Sequence, residues 1–238
     1  MKERPILFSA PMVRALLAGM KTQTRRMIKP QPPDDRRFKP VLATDDEGIE
    51  LYCGWAGMIP IRSPYGKVGD QLWVREAWRI GAWDEDDGSV AIDYMASAPT
   101  RTSYITIPES ADPNGEMFER YWMQSSDDAE HAGLRTDEDG KYQWQPGESP
   151  CRIRPSIFMP RWASRIQLEI TGVRIERLQN ISERDSMDEG ITGEELFRAQ
   201  GYAPLAYQRL WESINGVVSW EANPWVWAIE FKVIGRVK

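Results

Sequence analysis

Between Ile166 and Ile175 the chain alternates apolar and polar residues, and the alternation changes parity at Gly172. Ile166, Leu168 and Ile170 fall on one face of a strand, while Val173 and Ile175 fall on the opposite parity. A bulge or sharp bend at the glycine produces such a shift, as barrel strands often need. This strand therefore points to a curved sheet. Two other segments read as strands. In Gln71–Trp78, Leu72, Val74, Glu76 and Trp78 share one face and Trp73 and Arg75 the other. At the C-terminal end, Trp225, Trp227, Ile229, Phe231 and Val233 alternate with Val226, Ala228, Glu230 and Lys232.

Helices are expected between the strands. Pro11–Ala18 places Val13, Leu16 and Leu17 at helical spacing, with Pro11 suited to the first turn and Gly19 to the stop. Ser182-Glu183-Arg184-Asp185 has the form of a capping box, and Gly190 ends that short helix. Ala203–Ile214 carries Tyr207, Leu210, Trp211 and Ile214 on one stripe, most simply core. The expected class is α+β, a single domain over 1–238. Loop-rich insertions are expected at about 31–66 (with Arg36, Arg37 and Lys39) and 80–150. Within the second, Val90–Met95 and Ser103–Ile107 read as strands. Asp84–Asp87 and the acids around Asp127, Asp128 and Glu130 read as solvated loops.

Composition bounds the function. At 238 residues the chain can bury a real core. No run of about 18 apolar residues exists, so no membrane partner is expected, and the N-terminus lacks a long apolar signal region, which favours a cytoplasmic location. Two cysteines, Cys53 and Cys151, and one His131 cannot build a Cys/His zinc site. A reduced pair is favoured over a disulfide. No metal and no cofactor is expected. The net charge of −6 is unevenly spread: residues 1–40 carry ten Lys/Arg against three Asp/Glu, and residues 109–139 carry ten acids against two bases. That pattern argues against non-specific coating of nucleic acid and leaves room for a small basic pocket.

The N-terminal basic residues cluster at a helix-to-strand junction, Gly19-Met20-Lys21-Thr22-Gln23-Thr24-Arg25-Arg26, with Lys29 just beyond. Junctions of this kind hold side chains rigidly while leaving them exposed. The bland alternative is a helix stop followed by a solvated, cationic strand edge. Glu76 lies in line with apolar neighbours, so it is either paired with an arginine or raised in pKa, the pair being the simpler reading. Glu189 sits in the last turn of its helix, where the macrodipole disfavours a negative charge and pushes its pKa up. A second basic stretch, Arg152, Arg154, Arg161 and Arg165, surrounds Trp162.

Taken in order, Leu17-Ala18-Gly19-Met20-Lys21-Thr22-Gln23-Thr24-Arg25, Val68-Gly69-Asp70-Gln71-Leu72, Asp188-Glu189-Gly190 and Trp227-Ala228-Ile229-Glu230-Phe231 resemble the ASCH domain family, a branch of the PUA-like β-barrel superfamily. With Met159-Pro160-Arg161-Trp162 and Asn223-Pro224-Trp225, the pattern is most similar to the longer ASCH-type proteins of bacteriophages and prophages. The resemblance implies a PUA-like β-barrel with flanking helices and a cleft proposed to bind RNA or a modified nucleoside. One small ASCH branch removes the acetyl group from N(4)-acetylcytidine with a Lys, a Thr and a Glu, which fall here on Lys21, Thr24 and Glu189. Another branch is reported as ribonuclease.

Three functional expectations follow. As a binder, the chain contacts phosphates through Lys21, Arg25, Arg26 and Lys29 and stacks a base on Trp73 or another exposed aromatic, with Arg75 and Glu76 as further ligand-binding residues. As an amidohydrolase, it uses Thr24 to attack or to position a water. Lys21 then accepts the proton, its pKa depressed by Arg25 and Arg26, and Glu189 protonates the leaving amine. As a ribonuclease, Lys21 and Glu189 serve as acid and base. The acidic insertion offers a surface for a host protein. The sequence leaves the oligomeric state open.

Overall fold

The structure is a computed structural model that describes residues 1–32, 41–44, 50–53, 60–97 and 104–236. Arg36, Arg37 and Lys39, and the side chain of Cys53, lie outside the described residues. The chain is α+β. Its elements run β1 (Glu3–Leu7), α1 (Ala10–Leu17), β2 (Gln23–Met27), β3 (Val41–Thr44), β4 (Glu50–Cys53), β5 (Pro60–Arg62), β6 (Gln71–Arg75), β7 (Trp78–Asp84), β8 (Ser89–Tyr94) and β9 (Ile105–Thr106). They continue with α2 (Glu116–His131), β10 (Ile166–Arg177), α3 (Glu183–Asp188), α4 (Gly193–Arg198), α5 (Ala203–Asn215) and β11 (Trp225–Arg236).

Five strands form the main sheet in the order β1-β6-β10-β11-β2, which leaves β1 and β2 at its edges. β11 pairs antiparallel with β2, setting Ala228 opposite Arg25 and Glu230 opposite Gln23. Along β10 the buried positions are Ile166, Leu168 and Ile170, then Ile175, so the inward parity changes across Gly172. A Cβ at Gly172 would stand 2.8 Å from Glu230 Oε2, so the glycine also admits that carboxylate against the strand.

Contacts divide the chain into two compact units. One consists of Met1–Arg4, Ala15–Leu72 and Gln167–Gly235; the other is built mainly from Pro5–Arg14 and Trp73–Ile166. In the first unit, Leu178, Ile181, Ile191, Tyr207, Trp211 and Val226 form an apolar core under α5. Residues 31–66, expected to be loop-rich, contain the antiparallel three-stranded sheet β3-β4-β5.

In the second unit, residues expected to decorate a barrel have a core of their own, including Trp78, Ile80, Val90, Ile92, Tyr121 and Met159. The segment expected as one strand, Gln71–Trp78, is two. It breaks after Arg75 because Trp78 leaves to pair with Tyr94 in the β7–β8 hairpin and with Arg154 in a short bridge. The acids around Asp127, Asp128 and Glu130 lie on α2 and not in a loop. Tyr121, Ser125 and Ala129 make its inward stripe at i, i+4 and i+8, and Asp128 holds Arg152 at 2.6 Å. Among the described residues no helix is long and apolar enough to cross a membrane. Cys151 is a buried free thiol.

Candidate functional site

The cationic junction is built by three local constraints. Gly19, at φ 74°, ends α1, and Met20 and Lys21 both donate their backbone N–H to Ala15 O. Lys21 then forms a short antiparallel bridge with Glu189, reinforced by Thr22 N–H donating to Asp188 O at 2.8 Å. On the other side of that bridge, Ser182 Oγ caps α3 by accepting from Asp185 N, and Glu189 occupies the C-cap. Gly190 follows at φ 90°, and a Cβ there would lie 2.9 Å from Ala15 Cβ and 3.0 Å from Lys21 Cβ. Only glycine satisfies both the backbone conformation and the space.

These constraints bring Lys21, Arg25 and Glu189 together, although they are widely separated in sequence. Lys21 Nζ donates to Glu189 Oε2 at 2.8 Å, to Glu189 O at 2.8 Å and to Gln23 O at 2.7 Å. Arg25 donates through Nη1 to Glu189 Oε1 at 3.2 Å and to Gln23 Oε1 at 2.6 Å, and through Nε to Glu176 Oε1 at 2.7 Å. Its Nη2 lies 3.3 Å from Asp185 Oδ2. Arg174 continues the network outward, pairing with Glu176 and Asp185, both at 3.1 Å, and with Glu230. Lys21, Arg25 and Glu189 are buried at 1%, 2% and 3% exposed; Arg174 and Glu230 form the solvated rim of the network.

The electrostatics of this cluster differ from a phosphate cradle. Three cations, Lys21, Arg25 and Arg174, meet four carboxylates, Glu176, Asp185, Glu189 and Glu230. Arg26 adds a fourth positive charge close enough to act on both Lys21 and Tyr207, so the two signs balance. Burial lowers the pKa of Lys21; Glu189 opposes the shift, and Arg26 and Arg25 add a smaller downward push. The expected cause, repulsion by neighbouring arginines, is therefore secondary to desolvation. Tyr207, packed beneath Arg25 with the guanidinium 5.8 Å from its ring centre, has its phenol pushed well up by burial and then by Glu189.

The remaining expected residues are placed as follows. Gln23 and Arg25 face the cluster, so strand alternation turns Thr24 to the opposite face of β2. Thr24 Oγ1 is buried there with no hydrogen-bond partner among the described residues. The Lys-Thr-Glu trio implied by the resemblance is thus reduced to Lys21 and Glu189. Arg26 is half-buried and Lys29 is exposed beyond the end of β2. Trp73 is buried and covered by the Arg75 guanidinium, 4.7 Å from its ring centre, which corrects the expectation of an exposed stacking platform. Glu76 is buried and grips Arg165 with both oxygens, at 2.9 and 3.0 Å, its pKa raised by burial against the pull of that arginine. Trp73, Arg75 and Glu76 belong to the second unit.

Gln23, Arg174, Glu176, Asp185 and Glu230 complete the network and were not expected. The signal for two of them is present in the sequence: past Gly172, Arg174 and Glu176 occupy the positions alternating with Val173 and Ile175. Among the described residues, no group of three or more His, Cys, Asp or Glu side chains is arranged to hold a metal ion. Comparison of the chain with protein-family models, with curated proteins and with solved structures finds no match.

Proposed function

We propose that this chain is an ASCH-type protein with a PUA-like barrel that binds a modified nucleoside at the Lys21–Arg25–Glu189 cluster. The observation that carries the reading is the sealed Lys21–Glu189 pair, in which a lysine of lowered pKa rests on a carboxylate. Perturbed, paired ionisable groups of this kind concentrate at functional sites. The rim suits a nucleobase better than a phosphate. Asp185 and Glu230 offer acceptors to exocyclic N–H groups, and Arg174 offers donors to ring carbonyls. Lys21, Arg25 and Arg174 are already engaged by carboxylates, which disfavours RNA held through its backbone.

The lowered pKa of Lys21 also favours a second reading, hydrolysis of an acylated exocyclic amine. With Thr24 on the far face of β2, the nucleophile is water. Glu189 takes a proton from water as its oxygen attacks the acyl carbon. The carbon–nitrogen bond then breaks, Lys21 protonates the departing nitrogen, and Glu189 returns its proton to Lys21, leaving the free amine and acetic acid, which ionises to acetate by releasing its proton to solvent. Because the pair is sealed from solvent, this reaction requires the ion-pair network to open so that substrate and water can reach it.

Calorimetric titration with N(4)-acetylcytidine, cytidine and single-stranded RNA at two salt concentrations tests the reading, with acetate release followed by chromatography. Nucleoside binding that is insensitive to salt and weakened by Arg174→Ala is expected. RNA binding that falls steeply with salt, alongside no uptake of either nucleoside, would overturn it.

A further inference from the structure

The second unit contains a cleft of about 170 Å³ whose walls include Trp83, Tyr142 and Trp144, with Asp84 and Glu85 at its edge. Its size is below the roughly 300–1,000 Å³ of pockets for drug-sized ligands, so any guest is small. The rings are not stacked. Trp144 meets Trp83 at 5.4 Å and 54°, and Tyr142 meets it at 6.2 Å and 61°, so the three enclose a space and present no parallel slot for a flat base. Each is fixed by its polar tip: Trp144 Nε1 donates to Gly81 O at 2.7 Å, Tyr142 Oη to Glu130 at 3.0 Å, and Trp83 Nε1 to Glu85 at 3.3 Å. Glu85 Oε1 also accepts from Trp122 Nε1 at 2.8 Å. Two neutral indole donors therefore orient this carboxylate without neutralising it.

The potential around the cleft is negative. Asp84, Glu85, Asp86 and Asp87 are consecutive in the β7–β8 turn. Lys141, which also lines the cleft, is directed toward Asp86 at 3.9 Å. Aromatic faces carry negative charge density and attract cations, and rings held in different planes with a carboxylate nearby suit a bulky, weakly hydrated one. We propose that this cleft is a binding site for a small quaternary ammonium compound, with Trp83, Tyr142 and Trp144 as the cage and Glu85 as the counter-charge. It is separate from the Lys21–Glu189 cluster and does not depend on the function assigned there.

The test titrates the full chain with choline and with its neutral carbon isostere, 3,3-dimethylbutan-1-ol, following tryptophan fluorescence and heat. Choline is expected to bind at least about tenfold more tightly than the isostere, equivalent to about 1.4 kcal/mol. Tyr142→Ala and Glu85→Gln should each weaken choline binding about fivefold or more, within the range of single cation–π and charge contributions. Glu85→Gln keeps an acceptor for both indoles, so it reports the charge even if Tyr142→Ala disturbs folding. Equal affinity for choline and isostere, or no choline binding at millimolar concentration, would overturn the proposal. Tighter binding of a trimethyllysine peptide than of choline would overturn the small-molecule assignment.

Discussion

Lys21 uses all three ammonium protons on acceptors from two segments, so it fastens Glu189 to β2 as well as carrying charge. Removing one partner of a sealed ion pair strands the other in a poor dielectric, which typically costs about 3–5 kcal/mol. Lys21→Met should therefore lower stability by that order in urea denaturation, and Lys21→Met combined with Glu189→Leu should recover a large part of the loss. The pH dependence has a definite sign. Unfolded Lys21 keeps its proton to about 10.5, whereas the folded residue releases it at a lower pH. Through that window the unfolded chain binds more protons, so stability rises with pH toward about 10.5, and this increment, which adds to what the ion pair contributes at lower pH, is lost as pH falls through the folded value. The stability difference between wild type and Lys21→Met should accordingly grow with pH over this range. A difference that stays flat or shrinks contradicts the burial-driven shift.

At the scale of elements, the site exists because α1, β2 and α3 are stopped where they are. Gly190→Ala forces a left-handed backbone on a side chain that also collides with Ala15 and Lys21. The backbone strain alone should destabilise by about 1–3 kcal/mol. Thermal and urea unfolding check this, and an Ala variant as stable as wild type would show that the Lys21–Glu189 bridge is not tightly held. These stops were legible in the sequence because Gly19, Gly190 and the Ser182 cap act within a few residues. So was the parity change in β10, since Gly172 interrupts a strong alternation. The partners of Arg25 were not legible: Glu176 and Asp185 lie 151 and 160 positions away, and only sheet order brings them near. Spacing set Thr24 beside Lys21 in sequence, while the two-residue period of β2 turns it to the other face. Helix α2 was missed because Ser125 and Ala129 supply two of the three residues of its inward stripe, and small residues leave no apolar periodicity. The split between β6 and β7 was hidden for a related reason, Glu76 and Ala77 continuing the alternation where the backbone turns away.

For the whole molecule, charge distribution limits which partners can bind. The chain carries −6 overall, and two of its N-terminal cations, Lys21 and Arg25, are sealed within ion pairs. Proteins that bind RNA through several phosphates lose affinity steeply with salt, at a slope of about 0.7 per phosphate for single strands. Here the slope of log affinity against log salt should stay below about 1.5, corresponding to no more than about two phosphates. A filter-binding series from low to physiological salt measures it, and a slope several times larger would mean a cationic surface that the sealed residues do not supply. The central claim is that Lys21 and Glu189 form a desolvated pair that senses a nucleoside. It is tested most directly by a nitrogen-15 NMR titration of Lys21 Nζ, with and without N(4)-acetylcytidine. The account predicts a pKa below 10.5 in the free protein and a clear change when the nucleoside is added. A Lys21 that titrates at or above 10.5 and does not respond to the nucleoside would contradict it.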